Sequence, residues 1–228
     1  MIVIGIDDTD TLQSRGTGAL ARQVAADLAV DYAVLGVIRQ QLLSDPRVPC
    51  TKNNSSKAIL LGNGDEVDLD ALAARVRALM LADYQVGSDP GLCVSRHVPA
   101  EIVAFGIRAQ RELLTQAEAR GLAARHGIYL EGLGGDEMGV IGALAAVGLT
   151  AGGDAGRYIQ VGTVRSLAGA KPVESVLAAG VAAVLTPEGD PVVTGMVRTD
   201  GLRPARRGGH PVAVVQKDGD EWLPMKLD

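Results

Sequence analysis

The sequence is poor in cysteine, histidine and aromatic residues. Two cysteines (Cys50, Cys93) and three histidines (His97, His126, His210) contain no CxxC or HxxxH pair, which excludes a standard zinc cluster. A disulfide framework is excluded too, so a reducing cytoplasm is the expected compartment. Phe105, Trp222 and four tyrosines leave little material for stacking bases, and 22 basic against 27 acidic residues give a net charge of −5. The chain is therefore expected to lack a strong intrinsic hold on nucleic acid. Its longest uncharged apolar stretch, Met138–Gly153, is short of the ~20 residues needed to span a bilayer. Its amino terminus becomes acidic after six residues, where a signal peptide would be basic and then apolar. A soluble protein with no membrane partner is expected. Glycine is plentiful instead: 29 residues of 228, above the usual roughly 7%, implying many tight turns or close backbone approaches.

Hydrophobic spacing sets the elements. Ile2–Ile6 reads as a buried strand ending in acid. Leu20, Val24 and Leu28 make Thr17–Val30 an amphipathic helix. Val34–Leu43 and Ala58–Leu61 read as strands around a polar loop, Ser44–Ser56. Asp68 caps a second helix with Leu69, Leu72, Val76 and Leu79 on one face. Residues 1–86 thus read β-α-β-β-α. A turn at Ser88–Gly91, one helix over Ala100–His126, a glycine loop at Gly132–Gly135 and a small-residue helix at Met138–Leu149 follow. Strands are expected at Tyr158–Arg165, Ala182–Leu185, Val192–Arg198 and Val212–Gln216. A boundary falls near residue 87, with both parts packed into one unit.

Asp7, Asp8 and Asp10 end the first strand. Three carboxylates within four residues repel one another unless a cation lies among them. Magnesium carrying phosphate answers that need, since hard cations take carboxylate and phosphate oxygens together; a solvated acidic turn or a helix cap is the alternative. Strand ends of open sheets are where ligands bind. A haloacid-dehalogenase phosphatase motif fits poorly, because the threonine of Asp8-Thr9-Asp10-Thr11 comes one position early.

Pro49–Lys57 carries Lys52 and Lys57 with Thr51, Asn53, Asn54, Ser55 and Ser56. These are point charges and directional donors suited to polyphosphate, although the P-loop spacing is absent; a plain surface loop is the alternative. Arg15, Gly16 and Thr17 at the start of the first helix add a guanidinium and backbone amides. Gly134, Gly135, Asp136, Glu137 and Gly139 lead into the small-residue helix, where an anion, a cationic group on the two acids, or close helix packing are all open. Cys50 reads as a neutral loop thiol, and Arg203, Arg206 and Arg207 as a small basic patch, open to phosphate contact or to a plain solvated loop.

In order along the chain, Gly5-Ile6-Asp7-Asp8-Thr9-Asp10, Arg15-Gly16, the Pro49–Ala58 loop, Asp89-Pro90-Gly91 and Gly139–Gly148 resemble the archaeal tRNA(Ile2) 2-agmatinylcytidine synthetase family over about residues 1–200. The resemblance implies an α+β fold, a kinase-like catalytic domain combined with a ferredoxin-like domain. Residues 1–87 would begin the nucleotide-binding domain, and 88–228 would hold the ferredoxin-like region with C-terminal strands. It implies ATP and Mg2+ as cofactors, with Asp7, Asp8 and Asp10 on the metal. Thr9, Arg15, Gly16, Thr17, the polar loop, Asp89 and Gly91 would hold the nucleotide, and the Gly134–Gly139 region the second substrate. The family's phosphate-accepting threonine aligns with Ala19, two positions from Thr17, and the cysteine pairs of its zinc ribbon are missing.

The expected function is a Mg-ATP-dependent transferase or ligase that activates a small-molecule acceptor by phosphoryl or nucleotidyl transfer, with amine ligation in one-carbon (methanopterin-type) cofactor synthesis as the expected setting and a homo-oligomer as the expected assembly. The alternatives are tRNA modification with a separate RNA-binding partner, and a non-catalytic nucleotide sensor or assembly module.

Overall fold

The computed structural model describes residues 1–48, 50–51, 53–62 and 66–227. They form two compact units, Met1–Gly152 and Gly153–Asp228.

The first unit begins β1 (Ile2–Asp7), α1 (Thr17–Leu28), β2 (Val34–Gln41), β3 (Ser55–Leu61), α2 (Leu69–Ala82) and β4 (Gly91–Ser95). Its strands lie antiparallel in the order β4-β1-β3-β2. This βαββαβ run has the strand order of the ferredoxin-like split βαβ, and it falls in the residues expected to begin a kinase-like domain. The chain then adds α3 (Ala100–Ala109), α4 (Gln116–Arg125), β5 (Tyr129–Gly132) and α5 (Gly139–Gly152). Strand β5 extends the sheet beyond β4. Residue 87 lies inside this unit, because β4 pairs with β1 all along its length. The boundary expected near 87 is thus displaced to Gly152/Gly153.

Alternation along β1 divides the core. Ile2, Ile4 and Ile6 are fully buried and point to one face, while Gly5 and Asp7 point to α5 on the other. A Cβ on Gly5 would fall 2.0 Å from the Ala143 carbonyl oxygen, and one on Gly91 2.1 Å from the carbonyl carbon of Gly139. The small residues of α5 therefore serve packing: they let the helix backbone rest directly on β1 and β4. Gly148 meets Ile102 of α3 in the same way.

Asp68 caps α2 as its spacing predicts, accepting hydrogen bonds from the amides of Asp70 and Ala71. The expected single helix over Ala100–His126 is instead two. Thr115 accepts from the Glu118 amide and starts α4 afresh. The segment read only as a turn at Ser88–Gly91 leads into buried β4.

In the second unit β6 (Arg157–Gln160), β7 (Ala170–Pro172), α6 (Val173–Ala178), β8 (Ala183–Leu185), β9 (Met196–Arg198), β10 (Ala205–Arg207), β11 (His210–Asp218) and β12 (Glu221–Pro224) pair in both parallel and antiparallel senses. Valines 173, 176, 184, 197, 212 and 215 fill its interior. Arg206 is also buried, donating to Tyr158 Oη at 2.6 Å and the Gly209 carbonyl at 2.7 Å.

Candidate functional site

Strand β1 ends at a cleft in the first unit. One wall carries Asp7, Asp8, Asp10 and Thr17. The polar loop supplies Cys50, Thr51, Asn53, Asn54 and Ser55. Leu42, Leu43, Val48, Leu113, Leu114, Met138 and Ile141 make an apolar side. The acids reach the cleft because β1 stops against the start of α5 and the chain then turns sharply. Asp8 has φ 52°, a left-handed conformation that aspartate tolerates better than bulkier residues.

The three carboxylates are not equivalent. Burial pushes Asp7 up to about 6, although Lys57 and the Asp8 amide act to lower it. Burial pushes Asp8 up to about 7, with Asp7, Asp89 and Asp10 adding repulsion. Asp10 is tied into the protein. Its Oδ1 accepts from the Thr17 amide at 3.2 Å and from Thr17 Oγ1 at 2.6 Å, and its Oδ2 accepts from Thr51 Oγ1 at 3.0 Å. The Thr9 amide also donates to Thr17 Oγ1.

Among the described residues no three His, Cys, Asp or Glu side chains gather as a metal cluster. Asp10, one of the three aspartates expected on the metal, has both carboxylate oxygens engaged by Thr17 and Thr51. Asp7 and Asp8 could hold a hard cation: both are pushed up chiefly by burial, and a cation would offset the cost of ionising them there. Beside them the buried Thr9 hydroxyl has no partner among the described residues.

The other expected residues divide. Thr17, Asn53, Asn54, Ser55 and Gly139 line the cleft. Asn54 also holds the loop, donating to the Leu43 carbonyl at 2.9 Å. Ser56 is buried on β3 beside Gln40. Lys57 is buried, donates to the Ser55 carbonyl and hydroxyl, and acts on Asp7 by charge rather than lining the cleft. Lys52 lies outside the described residues. Arg15 pairs with Asp83 at 2.7 Å, and Gly16 is the N-cap of α1.

Asp89 accepts from the Asp136 amide at 2.6 Å, and Gly91 packs on Gly139. Gly134 sits against Tyr84, Gly135 against Asp89, and Glu137 pairs with Arg120. Gly134, Gly135, Asp136 and Glu137 are thus absent from the cleft lining, since the loop they form is pinned by Asp89 and Arg120. Arg47, Glu112 and the apolar wall were not found from sequence. Leu113 and Leu114 were hidden by reading through the break between α3 and α4.

No family model matches the sequence. An uncharacterized protein of Methanocaldococcus jannaschii is 28% identical over 155 residues, covering 65% of this chain and 49% of that protein. The solved TiaS–tRNA(Ile2)–ATP complex is similar with a TM-score of 0.57 at 25% identity, covering 64% of this chain and 36% of TiaS. A structure described as a tRNA fluorescent labeling enzyme is similar with a TM-score of 0.57 at 25% identity, covering 64% and 35%. Apo TiaS (tRNAIle2 agmatidine synthetase) has a TM-score of 0.56 at 23% identity and covers 64% and 35%. The chain spans about half the length of the curated relative and about a third of the solved structures it matches. The resemblance read from sequence stands: the chain is TiaS-like over 64% of its length, a mixed α/β protein.

The same neighbours correct the expected partners. The expected small-molecule acceptor and lack of strong intrinsic nucleic-acid binding are overturned by the likeness to TiaS in complex with tRNA(Ile2), and none of these comparisons supports one-carbon cofactor synthesis. Among the described residues no helix is long and apolar enough to cross a membrane.

Proposed function

We propose that this chain is an ATP-using enzyme of tRNA modification, related in chemistry to the TiaS synthetases it resembles. The observation that carries the reading is the convergence of Asp7 and Asp8, both pushed up towards neutrality, on a cleft walled by hydroxyl and amide side chains. The likeness to a TiaS complex holding tRNA(Ile2) and ATP supports the substrate class.

Asp7 and Asp8 would hold magnesium, which would neutralise phosphate oxygens there. Asn53, Ser55 and Thr51 would hydrogen-bond the phosphates. Asp10 would keep Thr17 and Thr51 at fixed positions on the two sides of the cleft. The apolar side, led by Leu113, Leu114 and Ile141, would exclude water and so strengthen each polar contact at the reacting phosphorus. The reaction would activate a group on tRNA by phosphoryl or nucleotidyl transfer.

The test is incubation of the purified protein with ATP, magnesium and total tRNA, followed by mass analysis of the digested nucleosides. A modified nucleoside and ATP turnover are expected from the wild type and neither from Asp8→Asn. Turnover in Asp8→Asn near the wild-type rate contradicts the assignment of the site. ATP turnover without any change in tRNA contradicts the substrate.

A further inference from the structure

The cleft has an excess of negative charge. Asp7, Asp8, Asp10 and Glu112 line it, and among the described residues that do so the sole cation is Arg47. Arg47 belongs to the loop between β2 and β3, and its side chain is 70% exposed. It is nevertheless oriented. Its amide and Nε donate to Asp45 Oδ1 at 2.9 and 2.8 Å, and its Nη2 donates to Asp45 Oδ2 at 2.8 Å. A carboxylate two residues earlier thus grips one edge of the guanidinium in a bidentate fork, which fixes its plane. The opposite edge, at Nη1, is outside that fork and has no partner among the described residues. The contact holds Asp45 down to about 2, so the pair stays ionised across the working range.

An oriented guanidinium with a free edge offers two parallel N–H donors to a pair of oxygens on a tetrahedral phosphate, which a lysine ammonium does not. Polyphosphate entering a cleft lined by four carboxylates also gains most from whatever fixed cation it meets. We propose that Arg47, held by Asp45, binds the terminal phosphates of the nucleoside triphosphate. The inference rests on the reading that this cleft takes ATP. It goes beyond it by giving the triphosphate a contact, Arg47, that sequence reasoning did not single out.

The experiment is calorimetry with adenosine, ADP and ATP, in the presence of magnesium, on wild type, Arg47→Met, Arg47→Lys and Asp45→Asn. Arg47→Met is expected to weaken ATP binding by about tenfold or more, ADP binding by less, and adenosine binding not at all. Arg47→Lys should recover part of the loss, and Asp45→Asn should fall between wild type and Arg47→Met. A merely structural role would weaken all three ligands alike, and that result overturns the proposal. Equal ATP affinity in wild type and Arg47→Met overturns it while leaving the ATP site intact. The same calorimetry with total tRNA as titrant gives a further outcome that overturns it: a loss confined to tRNA binding would make the guanidinium a contact for the RNA backbone. Absence of ATP binding in the wild type removes this proposal together with the site.

Discussion

Asp7 and Gly142 are in direct contact: a methyl group on Gly142 would fall 1.7 Å from Asp7 Oδ2. The acid and the helix can both occupy their places only because that helix position has no side chain. Gly142→Ala must therefore turn Asp7 or lift α5. Overpacking of this kind costs about 1–3 kcal/mol. A lower melting temperature together with lost ATP affinity is expected, and unchanged ATP binding would show that Asp7 is dispensable.

The acid pair gives the metal-free protein an unusual dependence on pH. Asp7 and Asp8 bind protons up to about 6 and about 7, against 3.8 for an ordinary solvent-exposed aspartate. The folded state therefore keeps protons that the unfolded chain releases, and stability falls as pH rises from about 4 to about 7. The loss is of order a few kcal/mol, and the two groups titrate together. Urea midpoints between pH 5 and 8 without divalent ions should decline for the wild type and be flatter for Asp8→Asn. A cation bound to the ionised pair reverses the trend, so magnesium affinity should rise over the same range. A level wild-type profile contradicts the burial of these groups.

Asp10 is expected to behave as an anchor. Removing its bonds to Thr17 and Thr51 with Asp10→Ala should cost about 1–2 kcal/mol, as for a lost helix cap. Magnesium-dependent ATP binding should suffer less than in Asp8→Asn. Equal losses in the two variants would return Asp10 to the metal.

The crossing of α3 and α5 offers a contrast between two helical glycines. A Cβ on Gly148 would lie 2.0 Å from the Ile102 carbonyl oxygen, whereas one on Gly121 in α4 would meet nothing nearer than Arg125 at 3.9 Å. Gly148→Ala should destabilise by at least about 1–3 kcal/mol, and Gly121→Ala should stabilise by roughly 0.5–1 kcal/mol through helix propensity alone. Thermal melts of the two variants check both signs.

Local features of this fold were legible in the sequence and distant pairings were not. Strand β1 with its acidic end, helix α1 and the Asp68 cap all follow from spacing within a dozen residues. Thr115 and Glu118 stand three apart, the spacing of a capping box, and that signal marks the start of α4 inside what periodicity alone reads as one helix. Asp136 and Glu137 look like ligands beside a glycine loop, but their surroundings are set by Asp89 and Arg120, 47 and 17 residues away. No local pattern contains those partners. The ferredoxin-like strand order was misplaced for the same reason, since β4 pairs with β1 across more than 80 residues of chain.

Of the two thiols, Cys93 is buried in β4, where desolvation raises its pKa, and Cys50 is exposed at the rim of the cleft. A maleimide dye should therefore attach at one position without any engineering. The sequence carries a ready-made attachment point for a fluorescent reporter at the mouth through which a nucleotide would enter.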